Sequence, residues 1–155
     1  MLTLRKRSSR EDVSALGCRN RPVLLATLDV PYAEEATAFA VDSAVENGQP
    51  LLLVNVAEVL PTAYSLLGYG YVERESLQEA LRLPAALALS LAVPVERLRV
   101  CSPHPIDALL EVAAERNPAV LVFGPDREHV PSRRYRRAER AMRERAPCLV
   151  WFPQA

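Results

Sequence analysis

Apolar residues in this chain gather in short unbroken runs, and the longer stretches between the runs carry apolar and polar positions at helical spacing. The runs are Val23 to Leu28 (VLLATL), Leu51 to Val56 (LLLVNV), Leu98 to Cys101 (LRVC), Ala119 to Phe123 (AVLVF) and Cys148 to Phe152 (CLVWF). Each is bounded by proline, glycine or charge, and runs of this kind predict parallel strands buried between helices. Between the first two, Tyr32 to Asn47 predicts a helix. Pro31 suits its first turn, Glu34 and Glu35 suit its positive end, and Asn47-Gly48 closes it. Its inner face is small (Ala33, Ala36, Ala40 and Ala44, with Phe39), so it can lie close on a sheet.

From Ala57 to Gly70 no period holds, and Pro61, Gly68 and Gly70 interrupt the chain, so this stretch reads as an irregular flap leading into a helix from about Val72 to Ala92. Pro84 falls inside that helix, where the missing N–H and the ring clash cost ~3 kcal/mol, and predicts a kink or break into two segments. A third helix, Ile106 to Arg116, follows the start signal SPHP. A fourth, Arg133 to Arg145, takes Ser132 as its N-cap and carries an apolar stripe of Tyr135, Ala138, Ala141 and Met142.

Strands alternating with helices, joined by right-handed crossovers, make a doubly wound α/β fold: a five-stranded parallel sheet of order 3-2-1-4-5 with helices on both faces. A length of 155 residues suits one domain, placed at 22–155. Residues 1–21 lack a strong period and read as a basic, flexible N-terminal extension.

The formal charge sums to zero, but its distribution changes the picture. Residues 1–21 are basic, and Asp29 to Glu96 is acidic with Arg74 and Arg82 as its only basic residues. From Arg127 to Arg145 eight arginines face three glutamates, which either solvate a helix face or attract an anion. No run reaches the ~18 apolar residues of a membrane span, and no signal peptide pattern follows the basic start, so a cytoplasmic location without membrane partners is expected. Cys18, Cys101 and Cys148 have neither disulfide-framework nor zinc spacing, and Cys148 reads as a core thiol. With net charge zero and few interleaved aromatics, a nucleic-acid partner is not expected.

The segments PVLLATLDV at 22–30, LLLVNVAE at 51–58, PHPIDALLEVAAERNPAVLVFG at 103–124 and RAPCLVWFP at 145–153 together resemble the universal stress protein family. The resemblance implies the adenine nucleotide alpha hydrolase-like fold, a role in stress response, and ATP as the ligand where there is one, held where the strand order reverses. Carried over by position, the nucleotide site would include Asp29 and Val30 at the end of the first strand and the backbone of Val56 at the end of the second. Asp29 reads equally as a turn former before Pro31. ATP-binding members carry Gly-x-x-Gly, a spacer of about nine residues, then Gly with Ser or Thr, because glycine lets backbone N–H groups approach phosphate. Here Gly124 fits, but the second position is Arg127 and the third falls on Arg136 or Arg137. The departure argues against ATP as a normal cofactor. Arg127, Arg133, Arg134, Arg136 and Arg137 could instead clamp an anion through their side chains.

No catalytic constellation is found. His104 and His129 have no acid or cysteine at ligand spacing, so no metal is expected, and Ser65, Ser76 and Ser102 lack a nucleophile-elbow context. Two readings follow. One is a non-enzymatic stress-response binding module without normal ATP binding, acting through a protein partner or as a homodimer with Val150, Trp151 and Phe152 of an apolar edge strand at the interface. The other is an adenine-nucleotide binder using Asp29 and the arginine-rich loop, with slow ATPase activity.

Overall fold

A computed structural model of the chain describes residues 4–7, 21–59 and 75–154. Its strands are β1 (Leu4–Arg7), β2 (Val23–Thr27), β3 (Leu51–Glu58), β4 (Val95–Ser102), β5 (Val120–Phe123) and β6 (Val150–Trp151). Its helices are α1 (Glu34–Asn47), α2 (Glu75–Ser90), α3 (Pro105–Arg116) and α4 (Ser132–Arg145), with one 3₁₀ turn at Arg127–His129. The sheet runs β1-β4-β3-β2-β5-β6. Its five parallel strands, β2 to β6, stand in the expected order 3-2-1-4-5.

Side chains alternate across β2, β3 and β5 and feed two cores. Val23, Leu25, Leu51, Leu53 and Val122 pack against Ala36, Ala40, Val41 and Ala44 of α1 and Ala85 and Ala88 of α2. Leu24, Ala26, Leu52, Val54, Leu121 and Phe123 pack on the other face against α3 and against Tyr135, Ala138 and Met142 of α4. Strands buried on both faces explain the unbroken apolar runs. Helix α1 closes as expected: Gly48 adopts φ 61° and its N–H bonds the last carbonyls.

Three local expectations are corrected. Helix α2 is not broken into two segments: it runs through Pro84, which is buried against the sheet side of the helix. A proline deletes one N–H from the ladder, and the helix continues past it with Ala85 and Ala88 packed in the α1-side core and Leu81 of the preceding turn buried as well. Ser132 is not the N-cap of α4 but its first helical residue, with Pro131 in the cap position and no side-chain cap bond. The sheet has a sixth strand, because Leu4–Arg7 pairs antiparallel with β4, Leu4 opposite Cys101 and Arg7 opposite Leu98. The remainder of the N-terminal extension up to residue 20, and most of the flap, lie outside the described residues. Arg21 bonds the carbonyls of Asn117 and Pro118 and the Asn117 side chain, at 2.9–3.0 Å, just before β2 begins.

Candidate functional site

The candidate site lies at the carboxyl ends of the parallel strands, where doubly wound sheets bind their ligands. After β2 the chain turns sharply. Thr27 Oγ1 donates to the Val30 carbonyl at 2.7 Å, and Asp29 sits in the left-handed region at φ 58°. The neighbouring strand holds that conformation: the Asp29 N–H donates to Asn55 Oδ1 at 2.8 Å, and Asn55 Nδ2 reaches Asp29 Oδ1 at 3.4 Å. Asn55 is buried in β3, so its amide is committed to this contact. Sequence reasoning passed over it, although a lone polar residue inside LLLVNV signals a buried group that must find a partner.

Across the point where strand order reverses, the loops after β2 and β5 are tied together. The Ala33 N–H donates to the Gly124 carbonyl, the Asp126 N–H to the Pro31 carbonyl, and Tyr32 bridges Pro125. Gly124 is buried here, with its own N–H donating to the Ala26 carbonyl at 2.9 Å. A Cβ at this position would stand 2.6 Å from Ala36 Cβ and 2.9 Å from Leu25 Cδ1, so close packing of α1 on the sheet accounts for this glycine. Arg127 begins the 3₁₀ turn, and its guanidinium lies 4.4 Å from the centre of the Tyr135 ring. Asp126 caps the turn through the Glu128 N–H and meets His129 Nδ1 at 3.1 Å.

A cavity of about 520 Å³ opens on the α3 and α4 side of this edge. Its described lining includes Leu28 and Ile106 as apolar floor, His104 at the start of α3, Glu58 at the end of β3, and Arg133, Arg134 and Arg137 on one face of α4. Arg134 reaches Glu58 at 3.4 Å, and Arg145 holds Asp107, another lining residue, at 2.7 Å.

Of the residues expected at the site, Arg137 lines the cavity. Asp29, Val30, Gly124 and Arg127 cluster around the adjoining β2 and β5 loops, Val56 is buried in β3, and Arg136 is exposed on α4 away from the cavity lining. His104 is exposed at the N-cap position of α3 and also lines the cavity. At the edge, Trp151 stacks on Phe39 with ring centres 4.1 Å apart, and Phe152 packs edge-on to Phe123 with Arg143 over its ring. These aromatic rings are thus turned toward their own subunit. Among the described residues no group of three His, Cys, Asp or Glu side chains could hold a metal, and no helix is long and apolar enough to cross a membrane.

Solved structures with the same architecture include a universal stress protein from Archaeoglobus fulgidus, at 15% identity and TM-score 0.63, covering 92% of this chain and all of that one. The universal stress protein from the same organism in complex with dAMP aligns at 18% identity and TM-score 0.61, over 86% of this chain and 97% of its own. An Arabidopsis thaliana family protein with AMP bound aligns at 12% identity and TM-score 0.52, over 84% and 90%. No curated protein matches by sequence. The model of the universal stress protein family matches residues 19–147, most of the chain, and with the doubly wound sheet around it this chain belongs to that family.

Proposed function

We propose that this protein is a regulatory binding module of the stress response that does not hold ATP in the family's glycine-loop geometry and does not act as an enzyme. The observation that carries the reading is where α4 starts. Because the helix begins at Ser132, positions 136 and 137, where the third glycine of the loop would stand, lie in its second turn. Their amides belong to the helical ladder and are not available to a phosphate. The loop's other positions agree: the Gly124 N–H is spent on Ala26, and Arg127 stacks on Tyr135. Titration calorimetry with magnesium and ATP, on protein freed of carried-over nucleotide, is expected to show no saturable binding at millimolar concentration. Tight stoichiometric binding would overturn the reading.

The relatives solved with dAMP and AMP favour a second reading, in which an adenine nucleotide is held by Asp29 and the arginine-rich loop, with slow ATPase activity. It requires Asp29→Ala to abolish nucleotide binding that the wild type possesses. In either case we expect a cytoplasmic homodimer. Its contact is the open edge of β6 at Val150, with Trp151 and Phe152 shaping that edge from inside and Leu149, 72% exposed, available to the partner copy.

A further inference from the structure

We propose that the outer face where α1 and α2 end is a docking surface for a basic amphipathic helix of a protein partner. This face lies at the amino edge of the sheet, away from the candidate site, and its role stands whether or not a nucleotide binds there. Of the six large apolar side chains exposed among the described residues, five gather here: Val45 of α1, Leu83, Leu87 and Leu89 of α2, and Leu91 just beyond it, 44–68% exposed. From Leu83 to Val95 the chain carries no charge, so the last turns of α2 turn leucine to solvent where an ordinary surface helix turns polar residues. Both helices lead from the carboxyl end of one strand to the amino end of the next, so they run the same way. Their ends are tied: the Leu51 N–H, after α1, donates to the Pro94 carbonyl, after α2, at 2.8 Å, and Ala44 shares a core with Ala85 and Ala88. Phe39 marks the β6 side of α1 by its stack on Trp151, so Val45, on the other flank with buried Val41, lies toward α2.

Charge selects the occupant. The two helices carry six carboxylates against Arg82 alone. Asp42 and Glu46 stand four apart on the exposed side of α1, a spacing at which like charges repel, and neither has a hydrogen bond or ion pair among the described residues. Glu46 also falls in the last turn, at the negative end of the helix dipole, and neither α1 nor α2 has a basic residue in its last turn. The helices of the opposite layer are matched there, α3 by Arg116 and α4 by Arg143 and Arg145. An apolar surface beside two unpaired carboxylates and two unmatched helix ends suits a partner that brings leucine-like residues along one side and lysine or arginine at its flank. A second copy meeting this face about a two-fold axis would set acid against acid, and an anionic lipid surface would be repelled as well.

A synthetic leucine–lysine amphipathic helix, and a leucine–glutamate helix of the same pattern, serve as probes in fluorescence anisotropy titrations of the full-length protein at low salt. The leucine–lysine helix is expected to bind saturably, one per chain, and about tenfold or more tightly than the leucine–glutamate helix. The double variant Leu83→Gln/Leu87→Gln should weaken it by about tenfold or more and Glu46→Gln by about threefold, whereas Glu34→Gln, in the first turn of α1 at the far end, leaves it unchanged. A second readout separates docking from damage to the fold. Without a probe, Glu46→Gln should melt at or above the wild-type temperature because a charge opposing the helix dipole is gone, and the double variant should melt as the wild type does. A clear loss in the double variant would mean that residues 60–74 of the chain itself cover the face, and overturns the proposal. Absence of binding, equal binding of the two probes, or binding that survives the double variant overturns it too. So does a lower mass of the double variant in sedimentation, which assigns the face to a second copy, or flotation of the wild type but not the double variant with phosphatidylglycerol vesicles, which assigns it to lipid. Magnesium–ATP titrations of the same variants read the nucleotide question separately.

Discussion

Two buried residues show how single atoms decide what this site tolerates. The Tyr135 ring is packed between Phe123 and the Arg127 guanidinium, yet its hydroxyl is the buried side-chain polar atom left without a hydrogen-bond partner among the described residues. A buried unpaired hydroxyl costs about 1–3 kcal/mol, so Tyr135→Phe is expected to leave stability unchanged or raise it by about 1 kcal/mol in urea unfolding; a clear loss would reveal a hidden partner. Burial also pushes this phenol above its ordinary value of 10.0. The unfolded chain then ionises first, so Tyr135 erodes stability as pH climbs through that value, and the phenylalanine variant should unfold less readily in alkali. Gly124 gives the opposite case. An alanine there meets Ala36 and Leu25, both fixed by packing, and Gly124→Ala is expected to destabilise by about 1–3 kcal/mol through steric overlap, whatever ligands are present.

At the scale of elements, the sequence pattern located every parallel strand and the helices between them because burial on both faces writes itself as apolar runs. Boundaries were less legible: β3 extends through Glu58 at the carboxyl end of the sheet and β4 begins at Val95 at its amino end, where charged residues interrupt the apolar runs. Pro84 misled because propensity weighs a lost hydrogen bond without seeing the burial of Leu81, Pro84, Ala85 and Ala88 along one side of the helix. The site itself was only half legible. Arginines at positions 127, 136 and 137 were visible as departures from a motif, but which of them face a cavity depends on where α4 begins, and Asn55 acts from a different strand. The β2 turn permits a direct test of that cross-strand support. Asp29→Ala must hold φ 58° without a side chain that tolerates it and should cost about 1–2 kcal/mol, whereas Asp29→Gly should be close to neutral in stability; equal losses would show that the carboxylate, not the backbone, is what matters.

For the whole molecule, the two edges of the sheet are unequal. Leu121 lies opposite Val150, and the Leu121 N–H donates to the Leu149 carbonyl, so the parallel ladder engages the residues flanking Val150 and leaves Val150's own N–H directed outward. Val150→Pro therefore removes an outward donor while sparing the bond to β5. If the homodimer forms through this edge, the variant should sediment as a monomer with its fold intact by circular dichroism; an unchanged mass would place the contact elsewhere.

The far edge of the sheet carries a different consequence. Strand β1 runs antiparallel along β4 and occupies the hydrogen-bonding row that β4 would otherwise present. A building block with two sticky sides grows without limit, whereas one with a single sticky side is finished after one partnership. If copies pair through the β6 edge, the short N-terminal strand is an end-stop for assembly, and a chain trimmed of residues 1–7 is expected to form species larger than the full-length protein does at equal concentration, seen as added mass in sedimentation.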